Sequence, residues 1–313
     1  MLKYNYAIFH KGCLDGFSGF FILHTTGQIS EHALIFPDMP STKIVPPNIA
    51  GKDVIIIDVA YSRDILKKIM SVAKSVIFID HHVTIRDDVQ ELKKELDTNK
   101  NITIVYNEKK SGASLTWEFF YPKKKVPLFI KYVEDNDTGA WKMKDTLTFV
   151  GSLDVNYSYA LTPDNMRRWK KLFDTKHINE LIKKGKNYEE YTKTLLEYNS
   201  RKYSTQSFPS QKVYDAYPEI FKKVGQYKVA VYCGSGCPKT TLLGLELIKR
   251  TTCDFVIMWV YHIDRKEYVL SMRSRDADVG TICHVLGGGG HKLAAACSFP
   301  SSKFSIDDLF VTK

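Results

Sequence analysis

Two short apolar runs constrain the fold of this chain more than anything else in it. Val54-Ile55-Ile56-Ile57 stops on Asp58, and Val76-Ile77-Phe78-Ile79 stops on Asp80-His81-His82. A run that is apolar at every position offers no side to water, so each reads as a strand of a parallel sheet covered on both faces. The polar residue that ends such a strand stands at the carboxyl edge of the sheet, where open α/β sheets bind their ligands. Two further segments carry ligand-type side chains. They are HKGCLDG, with His10, Cys13 and Asp15 after the strand Tyr6–Phe9, and EDNDTG, with Asp137 after a helix through Ile130 and Val133. Converging at one edge, these groups would form a cluster of oxygen and imidazole donors suited to one or two divalent cations.

The rest of the first half alternates strands with helical patterns. Gly16–His24 and Arg63–Val72 read as helices, the second with Ile65, Leu66 and Ile69 on one face. Ile102–Tyr106 is a further strand, followed by a helix capped near Ser111 that runs through Leu115, Trp117 and Phe119. Repetition of this kind implies right-handed crossovers and a mostly parallel sheet flanked by helices. From about Asp164 to Arg201 the pattern is helical and highly charged, and the polar stretch Ser204–Gln211 reads as a linker. A smaller α/β unit follows: strand Lys228–Tyr232, helix Thr241–Lys249, strands Phe255–Tyr261 and Glu267–Met272, then a short helix leading into Gly287-Gly288-Gly289-Gly290-His291. The expected domains are 1–200, with a helical tail from about 164, a linker over 201–225, and 226–313.

Composition narrows the function classes. With 313 residues, 44% hydrophobic and 26% charged, the chain is an ordinary globular protein. No run approaches the roughly 18–20 apolar residues of a membrane span, and Met1–Tyr6 lacks the apolar stretch of a signal peptide. The expectation is a cytoplasmic protein with no membrane partner. Six scattered cysteines, Cys13, Cys233, Cys237, Cys253, Cys283 and Cys297, fit free thiols better than a disulfide framework. Cys233 and Cys237 have no matching second pair for zinc, and Gly234-Ser235-Gly236 reads as a loop because it lacks a full phosphate-loop pattern. The net charge of +10 attracts polyanions: nucleic acid, nucleotides or polyphosphate. Runs such as Lys123-Lys124-Lys125 read as solvated faces.

Each acidic fragment has an ordinary structural reading. Asp15 stands near a helix N-cap, Asp58 precedes a turn, and Asp135–Gly139 is an acidic helix end. Two adjacent histidines directly after a buried strand are harder to explain by packing. Taken together, the order and residue types of the fragments resemble the DHH phosphoesterase superfamily, and the spacing HxxCxDG is most similar to its oligoribonuclease or nanoRNase branch. Ser271-Met272-Arg273-Ser274, followed by Gly287–Lys292 and Ala294-Ala295, resembles the DHH-associated C-terminal domain, so the resemblance covers nearly the whole chain.

The resemblance implies an active site in the cleft between the domains and a role for each matched residue. One cation would take His10, Cys13 and Asp58; a second would take Asp15, Asp58, His81 and Asp137, with Asp58 bridging. His82 would sit near the substrate phosphate or the leaving group, and Asp80 would orient the histidines. Arg273 and His291 would bind phosphate oxygens, with Ser274 and the backbone of Gly288, Gly289 and Gly290 beside them. The implied cofactor is Mn²⁺, two per chain, with Mg²⁺, Fe²⁺ or Zn²⁺ as alternatives. Many members carry Asp where this chain has Cys13. A thiolate is a softer ligand, which shifts preference away from Mg²⁺ or weakens the site. Ala296 also stands where the family run continues with glycine.

The implied activity is metal-dependent hydrolysis of short oligoribonucleotides or linear dinucleotides to nucleoside monophosphates. Rivals within the class are a 3′-phosphoadenosine phosphatase, a cyclic-nucleotide phosphodiesterase and a phosphoanhydride hydrolase. The rival from another class is a catalytically degenerate nucleotide- or RNA-binding protein, which Cys13 keeps open. The expected partner is short RNA or a nucleotide, and the chain leaves room for a homodimer.

Overall fold

The computed structural model, which describes residues 3–40, 42, 44–96, 99–218, 226–234, 236 and 239–311, places both apolar runs inside one parallel sheet. The elements of the first half are β1 (Tyr4–His10), α1 (Leu14–Thr25), β2 (Ile29–Asp38), β3 (Asp53–Ile57), α2 (Arg63–Val72), β4 (Ser75–Asp80), α3 (Arg86–Glu95), β5 (Ile102–Tyr106), α4 (Gly112–Phe120) and α5 (Leu128–Asp137). After them come α6 (Thr146–Asn156), α7 (Pro163–Lys170) and α8 (Thr175–Asn199). The five strands lie in the order β2-β1-β3-β4-β5, every neighbouring pair parallel. Chain direction across the sheet reverses at β1, which opens a crevice between the carboxyl ends of β1 and β3. His10 ends β1 and Asp58 follows β3, so the two flank that crevice.

Side-chain alternation explains why β1, β3 and β4 carry no polar face. Phe9, Ile55, Ile57 and Ile79 point to a core shared with α1, α4, α5 and the buried Trp169. Ile8, Val54, Ile56, Val76 and Phe78 point the other way, to Ile65, Leu66 and Ile69 of α2 and Val89 and Leu92 of α3. Helices on both faces leave only the ends of the strands for polar residues.

The chain divides into two compact units, Met1–Glu189 and Glu190–Lys313, with the division inside α8. The second unit contains β6 (Ser204–Phe208), α9 (Gln211–Ala216), β7 (Tyr227–Cys233), α10 (Thr240–Arg250), β8 (Phe255–His262), β9 (Glu267–Ser274), α11 (Val279–Val285), β10 (Gly289–His291) and β11 (Ala294–Pro300). Its six-stranded sheet has the order β10-β11-β9-β8-β7-β6 and is mixed, with only β7 and β8 parallel. Ser204–Gln211, expected as a linker, instead supplies β6, paired antiparallel with β7, and the start of α9. Its polar side chains hid it, because an edge strand held by backbone hydrogen bonds needs no apolar period. Of the glycine-rich loops, Ser235, Cys237 and Pro238 lie outside the described residues, while Gly289–His291 is a short strand rather than a loop. Among the described residues no helix is long and apolar enough to cross a membrane.

Candidate metal centre

Asp58 is the hub of the first unit's carboxyl edge. It is 1% exposed and adopts a left-handed backbone conformation, φ 61°, which non-glycine residues seldom take and which clusters at functional sites. Its backbone N–H donates to the Ile79 carbonyl at 2.9 Å, which ties the turn to β4. Its side chain faces two histidines. His81 Nε2 lies 3.1 Å from Asp58 Oδ1, and His10 Nδ1 lies 3.5 Å from Asp58 Oδ2. His81 Nε2 is also 3.2 Å from Asp137 Oδ2 and 3.7 Å from Asp15 Oδ2. One imidazole nitrogen therefore faces carboxylates from α1, from the turn after β3 and from the end of α5.

Asp80, fully buried at the end of β4, holds the two histidines in place. Its Oδ1 accepts from the backbone N–H of His81 at 2.7 Å and of His82 at 2.8 Å, and lies 3.0 Å from His82 Nδ1. From β5, Tyr106 donates its hydroxyl to the His82 carbonyl at 3.0 Å. On the other side of the crevice, Gly16 lets α1 approach β1, since a Cβ there would meet His10 Cβ at 2.6 Å.

The cluster brings together two sets of donors. His10, Asp58 and His82 offer ligand atoms within 4.8 Å of one another, and so do Asp15, Asp58 and His81. Asp58 belongs to both sets. Asp137 stands beside the second set through His81. Cys13, the residue before α1, is not in the first set; His82 occupies that place. Burial, with the charges of Asp58, Asp137 and Asp15, pushes the Cys13 thiol well above its ordinary value. The strand-end Asp38 is likewise spent elsewhere: it accepts from Thr42 Oγ1 at 2.6 Å, from the Met39 N–H at 2.8 Å and from the Tyr61 hydroxyl.

The crowding of like charges shows in the titration of these groups. Burial and the neighbouring Asp58 raise Asp137 to about 6. Burial and the charges of Asp58 and Asp137 also raise Asp15 well above the carboxylate range. Asp58 goes the other way: burial opposes its charge, but the imidazoles of His10, His81 and His82 outweigh it and hold the carboxyl low. Burial works against a charged His81, yet the Asp58 hydrogen bond and the charges of Asp15 and Asp137 keep it up at about 10. His82 is held at about 9 against burial by Asp80 and Asp58. A site of this charge fits a cation. His10 Nδ1 and Asp58 Oδ2 are buried with no hydrogen-bond partner, a costly state that coordination would relieve. Mixed imidazole and carboxylate donors suit Mn²⁺, Fe²⁺ or Zn²⁺ better than an all-oxygen ion such as Ca²⁺.

The N-terminus of α4 completes the site, and sequence reasoning missed its part. Asp15 Oδ2 accepts from the Gly112 N–H at 2.6 Å and Oδ1 from the Ala113 N–H at 3.0 Å. Ser111 caps the helix as expected, its Oγ accepting from the Ser114 N–H at 3.2 Å. The preference of helix N-termini for anions was the available signal.

In the second unit, Arg273 lies on β9. Its Nη1 donates to the Met272 carbonyl at 2.7 Å and its Nη2 to Thr241 Oγ1 at 2.9 Å, while Nε is buried without a partner. Ser274 is committed internally, its Oγ donating to the Asp254 carbonyl at 3.3 Å. Gly288 and Gly290 have packing reasons to be glycine: a Cβ would meet Ala296 O at 2.1 Å and Ala295 Cα at 2.5 Å respectively. Gly289 pairs with Ala296, and exposed His291 ends β10 opposite Ala294.

No protein-family model matches the chain. An uncharacterized protein of Acanthamoeba polyphaga mimivirus is 25% identical over 311 residues, which span 95% of this chain and 68% of that protein. Among solved structures, the pGpG-specific phosphodiesterase PggH from Vibrio cholerae is similar with a TM-score of 0.50 and 16% identity, over 96% of this chain and 94% of that one. An exopolyphosphatase-related protein from Bacteroides fragilis is similar with a TM-score of 0.47 and 12% identity, over 95% and 87% of the two chains. The Vibrio likeness covers both units and shows the fold: an N-terminal parallel sheet flanked by helices, followed by a mixed-sheet α/β domain.

Proposed function

We propose that the chain is a metal-dependent phosphodiesterase of the DHH type, hydrolysing short oligoribonucleotides or linear dinucleotides to nucleoside monophosphates. The observation that carries this reading is the pair of donor sets sharing Asp58 at the sheet's switch point. The name of the Vibrio protein, a phosphodiesterase for a linear dinucleotide, supports the substrate class. In this reading His10, Asp58 and His82 hold one cation, and Asp15, Asp58, His81 and Asp137 hold a second; Mn²⁺ is the preferred ion. Bound there, the ions supply Lewis acidity, which acidifies water and neutralises phosphoryl oxygens. The residues do the rest. Asp80 fixes the ring of His82, and α4 fixes Asp15, so the donors need no rearrangement when substrate arrives. Water adds to phosphorus, the P–O bond to the leaving nucleoside breaks, and the proton lost by water ends on the leaving oxygen. We assign Arg273 and His291 to the phosphoryl oxygens. The Ser274 hydroxyl donates to the Asp254 carbonyl, so we do not assign it to the phosphate.

The test is product analysis with Mn²⁺ and 5′-labelled RNAs of about two, five and twenty-four nucleotides, a range chosen because stable hold on long single strands needs many phosphate contacts. Mononucleotides released fastest from the shortest RNA, and absent with Asp58→Ala, are expected. Cleavage confined to phosphomonoesters, cyclic nucleotides or polyphosphate would replace the substrate. Tight nucleotide binding without turnover, and fewer than two ions per chain, would replace the enzyme with a binding protein.

A further inference from the structure

A second steric constraint at the site, beside that on Gly16, falls on Gly112, the first residue of α4. A Cβ built there would meet Asp58 Cβ at 2.7 Å, Asp58 Cγ at 3.2 Å and Asp15 Oδ2 at 2.9 Å. The same residue's N–H donates to Asp15 Oδ2 at 2.6 Å. Nothing in its helical position calls for glycine, which is a poor helix former and is enriched after helix C-termini rather than at the first helical residue. Ordinary α4 neighbours also carry side chains, as Ala113 and Ser114 do. The neighbours that forbid a methyl group are two buried carboxylates from different elements, α1 and the turn after β3. Both belong to the donor set Asp15, Asp58 and His81.

We infer that Gly112 is a positioning residue of the metal centre: by lacking a side chain it lets Asp15 and Asp58 close on a shared cation, while its N–H fixes which Asp15 oxygen turns toward that cation. This rests on the metal-dependent reading above. Two features give the inference its force. Asp15 has both oxygens engaged by α4, through Gly112 and Ala113, so a shift of α4 moves the carboxylate with it. Asp58 cannot swing away to make room, since its backbone is locked at φ 61° and tied to Ile79. A methyl group at position 112 must therefore push Asp15 and Asp58 apart, and the sensitive quantity is the separation of the two donors.

The experiment has a metal arm and a metal-free arm. Titration of the whole chain with Mn²⁺ by calorimetry is expected to give Gly112→Ala an affinity at least tenfold below wild type. Gly185→Ala is the control, since a Cβ there would meet the Thr148 carbonyl at 2.2 Å. It should lower the melting temperature and leave Mn²⁺ affinity within twofold. The metal-free arm is a double-mutant cycle of thermal stability in chelator, adding Gly112→Ala to wild type and to Asp58→Gly. Asp58→Gly removes the Asp58 Cβ and suits the left-handed backbone. Gly112→Ala should cost clearly more in wild type than in Asp58→Gly. Should Gly112→Ala alone fail to fold, recovery of folding in the double variant supports the inference. Unchanged Mn²⁺ affinity in Gly112→Ala, an equal stability loss in both backgrounds, or no recovery, overturns it. Wild-type protein that binds no Mn²⁺ sinks the metal reading, and with it the positioning role, whatever the metal-free arm shows about clearance.

Discussion

At the scale of one residue, His81 shows how cation binding at the donor sets would be linked to protons. Its Nε2 faces Asp58, Asp137 and Asp15 within 3.1–3.7 Å. Held at about 10, it carries a proton at neutral pH in the metal-free chain. A cation that takes Nε2 must expel that proton, so binding and deprotonation are linked. Below the folded value of about 10, each pH unit downward should weaken Mn²⁺ binding about tenfold while one proton is displaced. Asp137, raised to about 6, adds a second competing proton below that pH, and the dependence should steepen there. Calorimetry at pH 7 in buffers of different ionisation enthalpy measures the release directly. At least one proton freed per chain is expected, since His82, held at about 9, must also give up its proton to take an ion; none freed would show that His81 is not a ligand.

At the scale of elements, the carboxylate that shapes the end of α5 is Asp135, not Asp137. Asp135 is 7% exposed and accepts from the Lys142 N–H at 2.8 Å, the Met143 N–H at 3.0 Å and the Thr146 hydroxyl, so it clamps the turn that leads into α6. Burial opposes its charge, but these donors outweigh it and hold the carboxyl below the usual carboxylate value. The stability it adds is therefore present above about pH 4 and lost as pH falls through the depressed folded value. Asp135→Ala should cost about 1–3 kcal/mol, read from urea unfolding at pH 7, and the deficit relative to wild type should shrink in acid. A constant deficit would show that the side chain acts by packing alone. The same segment marks what the sequence discloses. The strands Asp53–Ile57 and Ser75–Asp80 were legible because burial on both faces leaves an unbroken apolar run, and their ends located Asp58, Asp80, His81 and His82. β2 was missed because its outer edge carries Ser30, Glu31 and His32 among apolar residues, and β6 because its polar strand pairs through backbone alone. The grip of α4 on Asp15 and the grouping of His82 rather than Cys13 with His10 join residues far apart in sequence, and no local spacing encodes them.

At the scale of the whole molecule, the charge of +10 suits both a short-substrate enzyme and one that tracks long RNA. A basic surface raises the local concentration of any polyanion, but salt dependence reports how many phosphates are held at once. For single strands the slope of log affinity against log salt is about −0.7 per neutralised phosphate. A linear dinucleotide held through two phosphates should therefore give a slope near −1.4, and lengthening the RNA should not steepen it. The excess cations would then serve encounter and solubility rather than grip. Fluorescence titration of Asp58→Asn, which keeps the shape of the side chain while removing its charge, measures the slope without turnover. A slope beyond about −4 for a twenty-four-nucleotide RNA would require roughly six contacted phosphates. That result would assign the basic surface to long-strand binding and overturn the short-substrate reading, even if dinucleotides are also cleaved. A shallow slope shared by all lengths would mean that few phosphates are held at once, as the short-substrate reading requires.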